Sequence, residues 1–373
     1  MRKVLLGMVM FVAVCVLSAF WVSFLGTFLM RWLAPRWGLI DHPAARKVHV
    51  RPTPLGGGIA IWLGTVLPLV VAYLAVLALT GQQHAWLPQE LDEHLGGVIY
   101  RAPRLWAVLI AASVLAAMGL LDDFRPIPWQ PRLCLQFLCA AGVVACGVRA
   151  TFFVENPWIG GLVSVAWFVV LVNSFNFLDN MDGLSGGIAF IVCGIFALMM
   201  LRVPGEPRWL VAGFFLILAG SLLGFLCHNW SPARIFMGDS GSYFIGFSIA
   251  AMTVLGTFYS PAAASQHVIL APFCVLAIPL YDICSVTWIR LREGRSPFQA
   301  DKRHFSHRLV AMGFRPVSAV LTVHLATLTT GLGGMALYAV DTWGEAAVPV
   351  AMVVCVVLMI AVLEQTPGPG ASR

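Results

Sequence analysis

Long apolar runs, each near the thickness of a bilayer core, recur along this chain and are interrupted only by short polar breaks. A helix that crosses a bilayer needs about 20 mostly apolar residues. Lipid offers no hydrogen bonds, so a helix is the form in which such a run satisfies its own backbone. Segments 4–30, 57–79, 105–121, 132–148, 158–175, 184–201, 209–227, 241–259, 267–289, 317–339 and 346–363 fit that need. The expected fold is an all-α polytopic membrane protein with roughly eleven transmembrane helices. Hydrophobic residues make up 60% of the chain and charged residues 11%, whereas water-soluble domains carry about 25% charged residues. No polar linker sets off a soluble domain, so residues 1–363 are read as a single transmembrane domain, followed by a short disordered tail at 364–373. The first 33 residues are read as a membrane helix and not as a cleaved leader, because the apolar run continues unbroken past Cys15. The cysteines form no CxxC pair and nearly all lie within apolar runs, as small packing residues do.

Lys and Arg fix the orientation. Counted over alternate breaks they divide seven to sixteen, accounting for all 23 in the chain. The richer side is expected to be cytoplasmic, with the N-terminus outside. The net charge of +6 is then a property of loops facing anionic headgroups, not a sign of nucleic-acid binding. Asp41, Asp122, Asp123, Asp179, Asp182, Asp239, His304 and His307 all fall in breaks on that same side. Carboxylates at a membrane are costly and mark ion, proton or substrate chemistry. On the opposite side, 149–157 is expected to form a small hairpin.

Five breaks carry the chemistry. The first, from Asp41 to Gly58, sets Arg46, Lys47, His49 and Arg51 before a glycine run at a helix start. Cations neutralise phosphates, and glycine amides at a helix N-terminus can approach them. The second is Asp122-Asp123 at a helix C-terminus, where acids oppose the helix dipole and are poor anchors. The third runs from Asn173 to Gly187, with Asn173, Asn176 and Asn180 expected on one helical stripe flanked by Asp179, and Asp182 following. The fourth, Phe236 to Ser242, puts Asp239 between glycines at a helix start, a setting that suits Mg²⁺ and phosphate. The fifth, 290–308, is the most basic, with Arg303 beside His304 and with His307 one helical turn on.

DHPAARKVHVRPTPLGGG, LDDF, NSFNFLDNMDG, FMGDSGS, IPLYD and SPFQADKRHFSHRL, in this order, resemble the motifs of the polyprenyl-phosphate N-acetylhexosaminyl-1-phosphate transferases (glycosyltransferase family 4). That family includes the bacterial enzymes that initiate O-antigen, enterobacterial common antigen and teichoic-acid synthesis, and the phospho-N-acetylmuramoyl-pentapeptide transferase of peptidoglycan synthesis. The resemblance covers nearly the whole chain. It implies transfer of a HexNAc-1-phosphate, GlcNAc-1-phosphate first, from a UDP-sugar to undecaprenyl or another polyprenyl phosphate, releasing UMP. The setting would be the bacterial inner membrane, with the active site on the cytoplasmic face. By the same resemblance Asp122, Asp123, Asp179 and Asp182 are catalytic, and Asp239 binds Mg²⁺, with Mn²⁺ as substitute. Lys47, Asn173, Asn176, Arg303, His304 and His307 bind substrate. A homodimer is compatible with such a chain. Two positions depart from the family pattern: Asn180 replaces the usual glycine after Asp179, and Ser306 interrupts the histidines. The missing triple-histidine stretch favours a UDP-HexNAc donor over the muramoyl-pentapeptide donor. Direct attack of the lipid phosphate and a covalent aspartyl intermediate are both open routes. A cation-coupled transporter is the rival class, but it would place its acids near the bilayer centre.

Overall fold

The computed structural model describes residues 2–43, 51–80, 89–150, 156–202, 207–256, 266–298 and 303–364. The helices are α1 (Arg2–Leu33), α2 (Gly57–Leu79), α3 (Gln89–Phe124), α4 (Trp129–Ala145), α5 (Pro157–Leu178), α6 (Leu184–Leu201) and α7 (Trp209–Asn229). They continue as α8 (Gly238–Leu255), α9 (Ala271–Val275), α10 (Ala277–Arg292), α11 (Phe305–Ala311), α12 (Pro316–Ala336) and α13 (Trp343–Leu363). Strands β1 (Ile40–Asp41) and β2 (Thr53–Pro54) pair antiparallel, Asp41 opposite Thr53.

Local sequence sets several boundaries. Asn156 caps α5 by accepting from the Trp158 amide, and Pro157 occupies the first helical position, where its missing N–H costs nothing. Thr342 and Glu345 form a reciprocal capping box at the start of α13.

The chain is a helical membrane protein, but the described residues do not give eleven spans. Eight helices are long and apolar enough to cross, and nine if one broken span is counted. That span joins Gln266–Val275 to Ala277–Arg292 through a bend of 63°. The two segments that fall short have physical reasons. α4 has only 17 residues, and α8 opens with the polar Gly238-Asp239-Ser240-Gly241-Ser242. α8 also starts three residues before the expected 241. Most of the expected hairpin, residues 151–155, lies outside the described residues. Glu364, expected to open the tail, instead receives hydrogen bonding from Tyr281 and pairs with Arg308; residues 365–373 lie outside the described set.

α6, α7 and α8 bury nearly all their side chains and form the centre. α1 packs along α7 and α2, and turns Val14, Trp21 and Phe28 outward, the apolar face a helix shows to lipid. The ends of α3, α5 and α10 and the starts of α4, α6 and α8 meet at one end of the bundle, around a single cleft. Asn156 begins α5 at the other end. With the cleft end in the cytoplasm, a cysteine at Asn156 is expected to react with an impermeant maleimide on intact cells. A cysteine at Arg295 is expected to react only after lysis. The test uses a background without native cysteines; labelling of both from one side contradicts this arrangement.

Candidate active site

The cleft has a volume of about 600 Å³. Six aspartates line it, Asp41, Asp122, Asp123, Asp179, Asp182 and Asp239, against two arginines, Arg132 and Arg290, with His304 and His307 on the rim of α11. Breaks up to 266 residues apart in sequence, from Asp41 to His307, thus converge on one space.

The adjacent acids at the end of α3 point to different partners, as neighbours on a helix must. Asp122 accepts from the Ile127 amide with one oxygen and pairs with Arg132 through the other. Asp123 accepts from the amides of Asp239 and Ser240 at 2.8 and 3.3 Å. It therefore caps α8, satisfying amides that a helix start leaves open. Those amides are not free for a phosphate, contrary to the sequence expectation. The same holds at α2: the Gly57 and Gly58 amides donate to the carbonyls of Phe236 and Met237, both at 2.9 Å. The glycine run binds a protein loop, and that loop aims Asp239.

Close backbone approach is what places Asp239. A Cβ on Gly119 would lie 2.5 Å from the carbonyl of Asp239 and from the Ser240 amide. A Cβ on Gly58 would lie 2.2 Å from the Gly241 amide. So α3 and α2 touch the first turn of α8 from two sides, a contact no larger residue permits without movement. The Asp239 carboxylate then meets Arg132 at 3.2 Å and the Asn176 amide at 2.7 Å. Arg132 also reaches the Tyr243 hydroxyl at 3.2 Å, and so ties α3, α4 and α8 together.

Asn173 donates to Gln136 at 2.7 Å. Asn180 does not share its stripe, because α5 ends at Leu178. Its side chain folds back onto the Phe177 carbonyl and accepts from the Ser306 hydroxyl at 2.7 Å. The two positions that depart from the family pattern are therefore in contact. Asp182 accepts from the Ala233 amide at 2.9 Å. Enclosure in the cleft, and then the nearby Asp123 charge, push the Asp179 carboxyl up to about 7; a hydrogen bond from Gly238 works in the opposite direction. Crowded carboxylates of this kind gain from a cation. Among the described residues no three potential ligands form a ready cage, and Mg²⁺ needs none, since it binds through one or two carboxylates with phosphate and water. The donor set fits a hard divalent ion.

One expected site residue lies away from the cleft, and another falls outside the described residues. Arg303 does not line the cleft; it pairs with Glu293 at 2.7 Å. Lys47 lies outside the described residues, as do Arg46 and His49. Sequence reasoning also passed over Arg132, Gln136, Tyr243 and Arg290 as site residues. Arg132 counts only as a loop charge that sets orientation, and Arg290 opens the basic fifth break without being marked out from its other cations.

Residues 105–257 match the family model described as Glycosyl transferase family 4. The chain is 32% identical over 333 residues to a decaprenyl-phosphate N-acetylglucosaminephosphotransferase of Mycobacterium tuberculosis, across 83% of this chain and 78% of that protein. It belongs to this family of transferases. Two further relatives in the family are each 29% identical: the probable undecaprenyl-phosphate N-acetylglucosaminyl 1-phosphate transferase of Bacillus subtilis, over 84% of this chain and 82% of that one, and the undecaprenyl-phosphate alpha-N-acetylglucosaminyl 1-phosphate transferase of Escherichia coli K12, over 86% and 83%. The family match runs from within α3 to the end of α8, the stretch of chain that carries Asp122, Asp123, Asp179, Asp182 and Asp239.

Proposed function

We propose that this chain transfers GlcNAc-1-phosphate from UDP-GlcNAc to a polyprenyl phosphate, as the first membrane step of a cell-envelope polysaccharide, on the cytoplasmic face of a bacterial inner membrane. The observation that carries this reading is the cleft itself. Six carboxylates, two arginines and two histidines converge where an anionic lipid headgroup and a soluble diphosphate can meet. The named relatives, GlcNAc-1-phosphate transferases acting on polyprenyl phosphates, support the sugar and the lipid.

In this reading an oxygen of the lipid phosphate attacks the phosphorus bonded to the sugar. The bond from that phosphorus to the bridging oxygen breaks, and UMP leaves with the electron pair. A phosphate monoester has a second pKa near 6, so at neutral pH the nucleophile is largely ionised without help. That suits Asp122, whose oxygens are held by Arg132 and the Ile127 amide. Arg132 supplies positive charge at the centre of the cleft. Asn173 and Asn176 hold oxygen and amide groups in fixed directions, and His304 and His307 face the substrates from α11. Asp239, with Asp179 close by, would hold a Mg²⁺ ion, which when bound neutralises charge on the diphosphate and on the leaving group.

Turnover is expected to stop in EDTA and return with Mg²⁺ or Mn²⁺. Asp239→Asn is expected to raise the Mg²⁺ concentration needed for half-maximal rate by about 10- to 100-fold. Undiminished activity in EDTA removes the metal from the scheme. Donor identity is tested by competition between UDP-GlcNAc and the UDP-muramoyl-pentapeptide, with the lipid product read by mass. Exclusive use of the pentapeptide donor overturns the assignment.

A further inference from the structure

Asp282 lies on α10, fully buried and outside the lining of the cleft. Its Oδ1 accepts the Phe305 amide at 2.7 Å, and its Oδ2 meets His304 Nδ1 at 2.9 Å. His304 is itself buried yet lines the cleft, and its ring and that of Phe177 pack edge to face with centroids 5.4 Å apart. The carboxylate therefore does two things with its two oxygens. It caps α11 through the Phe305 amide, and it holds the imidazole of the residue just before that helix.

We infer that Asp282 is a positioning residue that fixes His304 in the tautomer with Nδ1 protonated, leaving Nε2 as the ring nitrogen offered to the cleft. An ionised carboxylate only accepts hydrogen bonds, and a backbone N–H only donates. Phe305 N–H claims one oxygen, so the other must receive its proton from His304 Nδ1. In a neutral ring the lone pair is then on Nε2. With Nδ1 bonded and Phe177 packed against the ring, the imidazole is held in place. Nε2 is an acceptor at a set place, for a substrate hydroxyl or for a water on a phosphate. The kinetic part of this inference rests on the transferase reading; the tautomer does not.

Asp282→Asn separates this role from simple packing, because it keeps shape and changes hydrogen-bonding sense. The Phe305 amide would keep the new carbonyl oxygen, and the NH₂ would then face Nδ1. That pairing forces Nδ1 to accept and moves the ring proton to Nε2. ¹⁵N spectra of histidine-labelled protein read this directly, with His304→Gln identifying the His304 signals. The wild type is expected to show Nδ1 protonated and Nε2 bare, and Asp282→Asn the reverse. The wild-type spectrum alone keeps the inference testable if the variant does not fold: a bare Nδ1 there overturns it. In turnover, Asp282→Asn is expected to lower kcat by roughly 10²-fold, within the range for loss of a proton-handling group, with KM for the UDP-sugar nearly unchanged. In a His304→Gln background the same change is expected to add nothing, because Asp282 would act through His304. An equal loss in both backgrounds would make Asp282 a structural cap only. If no donor turns over at all, the transferase reading fails while the spectra still decide the tautomer.

Discussion

Gly119→Ala is expected to lower kcat by about 10²-fold or more, although it adds one methyl group on a helix well suited to alanine. The methyl carbon would sit 2.5 Å from the Asp239 carbonyl and the Ser240 amide. Those are backbone atoms in the first turn of a central helix, so no side chain can rotate out of the way. α3 and α8 must separate, and overpacking of this kind typically costs 1–3 kcal/mol. The separation carries Asp239 away from Arg132 and Asn176, and displacements near 1 Å at a reacting centre can cost about 10²-fold. Gly142→Ala is the control. It lies on α4, the next helix, its new methyl would meet nothing within 4 Å, and it is expected to be neutral. A lower unfolding temperature for Gly119→Ala with the protein still folded at the assay temperature, and loss of rate only there, supports the close approach as what sets the site. A fully active Gly119→Ala shows that the position of Asp239 tolerates a wider gap.

Arg132→Ala is expected to cost about 10²–10³-fold in kcat, the scale of losing one fixed electrostatic group in an active site. The guanidinium pairs with Asp122 and, at 3.2 Å, with Asp239. Without it two carboxylates face each other with no shared counter-charge, and each holds a proton more tightly. One terminal nitrogen, Nη1, meets Asp122, Asp239 and the Tyr243 hydroxyl together; Arg132→Lys keeps the charge, but its shorter stem and differently shaped head do not set an ammonium at that same point. It is expected to recover only part of the loss. Initial rates for both variants at saturating substrates make the comparison. If Arg132→Ala keeps more than about a tenth of wild-type kcat, far from the loss typical of one fixed electrostatic group, Arg132 belongs to the scaffold and not to the chemistry.

These two positions also mark what the sequence could and could not reveal. The acids stood out because carboxylates between apolar runs are anomalous in lipid. Asp122, Asp123, Asp179, Asp182 and Asp239 were therefore legible one by one, and their common side followed from counting spans. Partnership was not legible. Asp123 caps a helix that begins 115 residues later, at Gly238. Arg132 looks like an orientation charge, because an arginine beside an apolar run reads the same whether it meets headgroups or aspartates. Gly57 and Gly58 looked like a phosphate cradle; only the fold shows their amides already bonded to Phe236 and Met237. The contact between Asn180 and Ser306 crosses 126 positions, and each looked like a separate departure. The span count erred for a related reason. Short or polar-ended helices such as α4 and α8 are held by their neighbours, a support that hydropathy does not measure.

The most direct test of the central claim is the identity of the nucleotide released. Purified protein in detergent, given UDP-GlcNAc, a polyprenyl phosphate and Mg²⁺, is expected to release UMP, one for each lipid-linked GlcNAc formed, with the donor's sugar-bound phosphorus recovered in the lipid. That result means the bond broken lies between the two phosphorus atoms. Release of UDP, with a lipid product that has gained the sugar but no phosphorus, would place the broken bond at the sugar carbon and contradict phosphosugar transfer in this cleft.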